Sequence, residues 1–196
     1  EPENASNGSL MRCWPVAVAR WNNPALMAAE AKLQSEVTHL HADCVNACVL
    51  FSLILHKLIH RDASTPANAA IRHAVSSSVD QVELGDEMKK LVALAPVRSR
   101  EELPNTGWVQ HTLESALWAV MTTQSFEEAL VQAVNLGHDA DTTGTVAGAI
   151  AGALYGIDAI PLRWKEVIHG EYPLKSGKLW FLTDLLKLTD QLMSIG

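Results

Sequence analysis

The chain has 196 residues, 48% hydrophobic and 19% charged, which is enough apolar material for one substantial core and excludes a disordered polymer. Lys and Arg number 15 against 22 Asp and Glu, a net charge of −7, so the overall field attracts neither nucleic acid nor an anionic membrane surface, and any anionic ligand must be held locally. The three cysteines, Cys13, Cys44 and Cys48, are too few and odd in number for a disulfide scaffold. They read as small packing residues in a reducing, cytoplasmic compartment.

Asn23-Pro24 puts a capping residue ahead of a first-turn proline and predicts a helix over 25–34. A longer helix is expected over 40–59. Its centre, 45–55, is apolar nearly all round, as in a central core helix, and is shorter than the roughly 20 apolar residues of a membrane span. Thr65-Pro66 opens a helix to about 76, and another is expected over 82–94. Asn105-Thr106-Gly107 reads as a turn. Beyond it Leu113, Ala116, Leu117, Val120 and Met121 recur at helical spacing. Ser125-Phe126-Glu127-Glu128 is a capping box opening a helix with Phe126, Ala129, Leu130, Ala133 and Val134 on one face, ending by Gly137. A Gly/Ala-rich helix follows Asp139-Ala140-Asp141-Thr142, Pro161 breaks the chain, and a last helix is expected over 178–193. Alternating strand patterns are scarce, so the expected architecture is a single all-α domain over 1–196.

Four segments carry residue types suited to chemistry. In Gly137-His138-Asp139-Ala140-Asp141-Thr142, two carboxylates and a hydroxyl stand at a helix start. Such hard oxygens suit Mg²⁺, Mn²⁺ or Ca²⁺, but a lone Asp-x-Asp is common, and on its own the segment reads first as Asp141 or Thr142 capping the next helix. In the helix that follows, Gly144, Gly148, Gly152 and Gly156 recur every fourth residue. Each costs about 1 kcal/mol relative to Ala, so close packing against another backbone is expected in return. The small polar run Asn4-Ala5-Ser6-Asn7-Gly8-Ser9 lets backbone N–H groups and the Asn7 and Ser9 side chains converge on an anion, or is an ordinary loop. His39, with His41 nearby, is a cap, a core group or a ligand contact. Trp108, beside Gly107, is a core aromatic or a stacking face for a base. Trp14, Trp21, Trp118, Trp164 and Trp180 read as packing residues.

Taken in order, these segments resemble the ADP-ribosylglycohydrolase family, which also includes the eye-lens J-crystallins. The resemblance runs through Asn7-Gly8-Ser9-Leu10-Met11-Arg12, Thr38-His39, Gly107-Trp108-Val109, Thr112-Leu113-Glu114-Ser115-Ala116-Leu117-Trp118, Ser125-Phe126-Glu127-Glu128-Ala129, Ala133-Val134-Asn135-Leu136-Gly137, Asp139-Ala140-Asp141-Thr142, the glycine-rich helix, Ile160-Pro161 and Trp164. It spans nearly the whole chain and looks like the C-terminal two-thirds of the family's compact, orthogonal multi-helix fold.

The resemblance implies a hydrolase that cleaves the glycosidic bond of ADP-ribose conjugates with two Mg²⁺ or Mn²⁺ ions. It implies Asp139, Asp141 and Thr142 as metal ligands, the two aspartates also as the catalytic carboxylates. Asn7, Gly8 and Ser9 are implied as the diphosphate loop, His39 as a ligand contact, and Trp108 as an aromatic beside adenine. His138 stands where the family usually has Gly, next to the ligand, as a crowding group, an added ligand or a base. Family members also carry an N-terminal Gly-Asp segment and a Thr-Asp-Asp-Thr segment with further acidic groups. Neither precedes the diphosphate loop here, and Glu1 in place of Met points to a missing N-terminal part. That part, or self-association, is the expected protein partner. The alternative function is an inactive ADP-ribose or nucleotide binder, or a crystallin-like structural protein.

Overall fold

The computed structural model describes residues 5–196. Glu1 to Asn4, including Asn4 of the small polar run, lie outside the described residues. The chain folds into helices α1 (Gly8–Met11), α2 (Trp14–Ala19), α3 (Pro24–Glu36), α4 (Ala42–Ile59), α5 (Ala67–Val79), α6 (Asp86–Leu94), α7 (Val109–Met121), α8 (Phe126–Val134), α9 (Ala140–Tyr155), α10 (Leu162–Lys165) and α11 (Leu182–Met193). Strands β1 (His169–Glu171) and β2 (Leu179–Phe181) lie between α10 and α11.

Helix α4 is central, packed against α2, α3, α5, α7 and α9. Leu50, Phe51, Ile54 and Leu58 are fully buried in it, each contributing about 1.5–3 kcal/mol of apolar transfer. It is long and apolar enough to cross a membrane by length and composition, yet over half of it is buried inside this fold. Helix α7 is enclosed as well, with every residue but His111 buried. Its Glu114 sits at the bottom of an ion pair with Arg98, 2.9 Å away.

The caps follow the local chemistry. Asn23 accepts from the Leu26 N–H at 3.1 Å with Pro24 in the first turn. Ser125 accepts from the Glu128 N–H at 3.2 Å, while the Glu128 carboxylate accepts from Gln124 N–H at 2.9 Å instead of from Ser125. The three thiols are free and buried, as packing residues should be.

The C-terminal region corrects the sequence reading. Residues 178–181 do not begin the last helix, which starts at Leu182. β2 pairs antiparallel with β1, His169 opposite Phe181 and Glu171 opposite Leu179. Strands of three residues are too short to display an alternating pattern. Gly177 at φ 73° helps the connection turn back. Helix α11 then lies along α2, where Trp21 Nε1 donates to the Met193 carbonyl at 3.0 Å. Trp118 is a core residue, whereas Trp14 is 38% exposed.

The glycine stripe of α9 also differs from expectation. A Cβ at Gly144 would lie 3.1 Å from Val134, and one at Gly148 would lie 3.6 Å from Leu130. The close neighbours are thus side chains of α8, not a backbone. Gly152 meets nothing within 4 Å. It lines an apolar groove of about 560 Å³ with Trp14, Trp21, Ile59, Ile160 and Met193. Gly156, at φ 79°, ends the helix.

Candidate active site

Two segments distant in sequence are stitched together at one edge of the fold. The Asn7 N–H donates to the Gly107 carbonyl at 3.0 Å and the Val109 N–H to the Ala5 carbonyl at 2.9 Å, so Ser6 and Trp108 face each other in a one-rung antiparallel bridge. This brings the small polar run against the start of α7. Asn7 is only 7% exposed. Both protons of its amide are used: Nδ2 donates to Thr112 Oγ1 at 2.7 Å and to Asp139 Oδ2 at 2.5 Å. One buried amide therefore ties the polar run to the acidic segment.

The acidic segment is shaped by its backbone. Gly137 and His138 both adopt positive φ, 76° and 51°, and the chain then enters α9 with Asp139 in the capping position. The Asp139 side chain makes no capping bond to α9. A carboxylate that leaves the nearby N–H groups alone and turns toward Asn7 is not acting as a cap. Asp141 is exposed in the first turn, and Thr142 is buried with its hydroxyl 3.8 Å from Met11 Sδ. His138 is exposed, in the left-handed conformation that glycine adopts at least cost.

Asn105 read as part of a turn, but it is fully buried. Its Nδ2 donates to the Gly137 carbonyl at 2.5 Å and its Oδ1 accepts from Thr143 Oγ1 at 2.5 Å. It clamps both sides of the segment that carries Asp139 and Asp141. Nothing local in the sequence marks this role, because both partners lie more than thirty residues away.

His39 reaches the same edge. Its Nε2 lies 2.8 Å from Ser6 Oγ and its Nδ1 lies 2.6 Å from Thr38 Oγ1. A Cβ on Gly8 would lie 3.0 Å from His39 Nε2, so Gly8 is what lets the imidazole sit over the polar run. Burial and the neighbouring Arg12 guanidinium hold His39 below the ordinary imidazole pKa of 6.5, neutral at pH 7. His41, by contrast, is the cap of α4, accepting from the Asp43 N–H at 3.2 Å.

Two placements depart from expectation. Gly8 opens a single helical turn, α1, instead of an irregular loop. Ser9 is fully buried, and its hydroxyl accepts from Ser35 Oγ at 2.9 Å, beside Cys48 Sγ at 3.5 Å. Its side chain therefore serves the core; the exposed hydroxyl at this edge belongs to Ser6, which sequence reasoning passed over. Trp108 is half-buried, edge-on to His111 with ring centres 4.5 Å apart. Its indole N–H is buried without a partner among the described residues.

For a cation, the donor chemistry at this edge is right. Asp139, Asp141 and Thr142 supply hard oxygens at one helix start, and the Asn7 bond occupies only one carboxylate oxygen of Asp139. Among the described residues no three His, Cys, Asp or Glu side chains cluster tightly enough for a metal ion.

Comparison with known proteins identifies the family. A model of the ADP-ribosylglycohydrolase family matches residues 1–195. The chain is 33% identical over 168 residues to the ADP-ribosylarginine hydrolase Tri1 of Pseudomonas putida, covering 86% of this chain and 43% of that protein. It is 30% identical over 161 residues to the ADP-ribosyl-[dinitrogen reductase] glycohydrolase of Rhodospirillum rubrum, covering 82% and 50%. With human ADP-ribosylhydrolase ARH3 it shares 26% identity over 196 residues, covering 84% and 54%. The chain thus spans about half the length of the curated relatives it matches. Among solved structures, an ADP-ribosylglycohydrolase-related protein complex superposes with a TM-score of 0.74 at 28% identity, covering all of this chain and 59% of the other. A match along nearly the whole length, on a fold that joins the polar run to the acidic helix start, makes this chain a member of the ADP-ribosylglycohydrolase family.

Proposed function

We propose that this chain carries the ligand-gripping and part of the metal-binding side of a hydrolase that cleaves the glycosidic bond of ADP-ribose conjugates. The observation that carries this reading is the Asn7–Asp139 hydrogen bond, which couples an anion-binding segment to a carboxylate close in sequence to a second one, Asp141. ADP-ribosylarginine is the first substrate to test, because the two relatives at 33% identity are named for it.

In this reading Asp139, Asp141 and Thr142 hold Mg²⁺ or Mn²⁺. Such ions, when bound, supply Lewis acidity toward the ribose and lower the pKa of a water. The residues of the chain do the remaining work. Asn7 holds one carboxylate oxygen of Asp139 and leaves the other for a cation. Ser6, Gly8 and His39 grip the diphosphate, and Trp108 flanks the base. Binding energy gathered at the diphosphate and the base, away from the reacting carbon, positions the scissile bond. Asp139 or Asp141 handles the proton released from the attacking water.

The test is release of ADP-ribose from an ADP-ribosylated arginine peptide in Mg²⁺ or Mn²⁺, with Asp139→Ala and Asp141→Ala beside the wild type. Both variants should keep their helical circular dichroism and lose turnover. Undiminished turnover in both sinks the assignment. Metal should also raise the melting temperature, since it relieves repulsion between the two carboxylates and binds only the folded state; an unchanged melting curve in excess of both ions argues against a cation site here. A second reading is binding of ADP-ribose without cleavage: among the described residues no three His, Cys, Asp or Glu side chains gather as a metal-holding group. Measurable ADP-ribose affinity with no release of product under any metal condition would select it.

A further inference from the structure

Three side chains form a line behind Ser6. Arg12 Nη2 donates to the Gln34 carbonyl at 2.9 Å and to Thr38 Oγ1 at 2.5 Å, and Arg12 Nε donates to Gln34 Oε1 at 3.2 Å. Thr38 Oγ1 lies 2.6 Å from His39 Nδ1, and His39 Nε2 lies 2.8 Å from Ser6 Oγ. Guanidinium has no acceptor, so the first bond runs one way only, into the Thr38 oxygen. A hydroxyl polarised by a cation is a stronger donor, and Nδ1 is its partner. A neutral imidazole carries a single proton. With Nδ1 accepting, that proton is on Nε2 and points at Ser6 Oγ. The Ser6 oxygen is then already an acceptor, its hydrogen has no other partner among the described residues, and the side chain is exposed. Ser6 lies between Trp108, across the bridge, and Asn7, which holds Asp139.

We infer that Arg12, Thr38 and His39 form a one-directional hydrogen-bond relay that ends on Ser6 and presents the Ser6 hydroxyl proton to a phosphate oxygen of the bound ligand. Arg12 and Thr38 are positioning residues in this relay, and Ser6 is the contact. The inference rests on the ADP-ribose reading for the identity of the ligand, but the direction of the relay is a property of the free protein. The lowered pKa of His39 fits it: with the imidazole neutral at pH 7, the relay keeps one polarity across the neutral range.

Two measurements test it. The first is the tautomer of His39 in the free protein, read from long-range ¹H–¹⁵N correlation spectra and assigned by comparison with His39→Gln. The wild type should show a protonated Nε2 and a bare Nδ1. Thr38→Ser should retain this pattern, and Thr38→Val should bring in the Nδ1–H form. The second is calorimetric titration with ADP-ribose. Losing one hydrogen bond to a charged oxygen weakens binding about ten-fold or more, so Ser6→Ala, Thr38→Val and Arg12→Gln should each bind about ten-fold more weakly, with Thr38→Ser restored. A protonated Nδ1 in the wild type overturns the relay, as does a Thr38→Val spectrum identical to the wild type. So does a Ser6→Ala affinity within two-fold of wild type. Failure of the wild type to bind ADP-ribose overturns the nucleotide reading and the ligand end of the relay with it. The tautomer spectra then decide separately whether the Arg12–Thr38–His39 polarity is real.

Discussion

Replacing Asn105 should loosen the acidic segment from beneath. The residue is fully buried, and each half of its amide has one partner: the Gly137 carbonyl at 2.5 Å and the Thr143 hydroxyl at 2.5 Å. Asn105→Ala removes both. The two losses are unequal, because Gly137 is exposed and its carbonyl can take up water, whereas Thr143 is fully buried and its hydroxyl cannot. A made bond is worth about 1 kcal/mol, and an orphaned buried group costs about 1–3 kcal/mol, so a total loss of about 2–3 kcal/mol is expected. Asn105→Asp keeps the acceptor for Thr143 but sets a carboxylate against the Gly137 carbonyl. At pH 7 it should cost at least as much, because the charge is buried and faces an oxygen. Its protonated form can donate to Gly137, so the folded pKa is raised, and the lost stability should return as the pH falls toward 4. Thr143→Val should cost about 1–2 kcal/mol and be less than additive with Asn105→Ala. Urea denaturation followed by circular dichroism measures all four. An Asn105→Ala variant within 0.5 kcal/mol of wild type would refute the clamp, as would an Asn105→Asp variant equally unstable at pH 7 and pH 4.

Three further outcomes are expected. Glu114 is fully buried with one carboxylate oxygen unpartnered, and burial pushes its pKa up despite Arg98. Its contribution to stability is therefore complete below the ordinary value of 4.5 and lost as the pH rises from there through the raised folded value; Glu114→Gln should flatten that decline, and parallel pH profiles for the two proteins would show the reasoning wrong. His138 sits at φ 51° with an exposed side chain, so His138→Gly should raise the unfolding free energy by about 1 kcal/mol, and a loss of stability would mean the imidazole makes a contact that matters. A methyl group added at Gly152 would meet nothing within 4 Å, whereas one at Gly144 would meet Val134 at 3.1 Å. Gly152→Ala should therefore gain about 0.5–1 kcal/mol of helix propensity and Gly144→Ala clearly less; equal gains would mean Val134 yields freely.

Most helices were legible because each carried its own local evidence. Asn23-Pro24 and Ser125 begin helices where capping chemistry places them, and the apolar run inside α4 marks the core helix without reference to any other segment. The elements that escaped were short: the three-residue strands β1 and β2, the single turns of α1 and α10, and the six-residue α2. The start of α11 moved from 178 to Leu182 because β2 claims the residues between.

The site was legible by residue type but not by partner. Asp139 and Asp141 stand out in the sequence, yet an aspartate at a helix start has two uses, and only the absent capping bond and the Asn7 contact across 132 residues separate them. Ser6 and Ser9 lie three residues apart in the same small polar run. One faces solvent beneath His39 and the other is sealed against Ser35 and Cys48, a difference set by helices α3 and α4 packing on the same short run. The glycines of α9 make the same point in reverse. A period of four marks a smooth stripe, but Gly144 receives Val134, Gly152 opens on a groove and Gly156 terminates the helix. Spacing along one element fixes which residues share a face; what that face meets is decided by segments that the spacing does not contain.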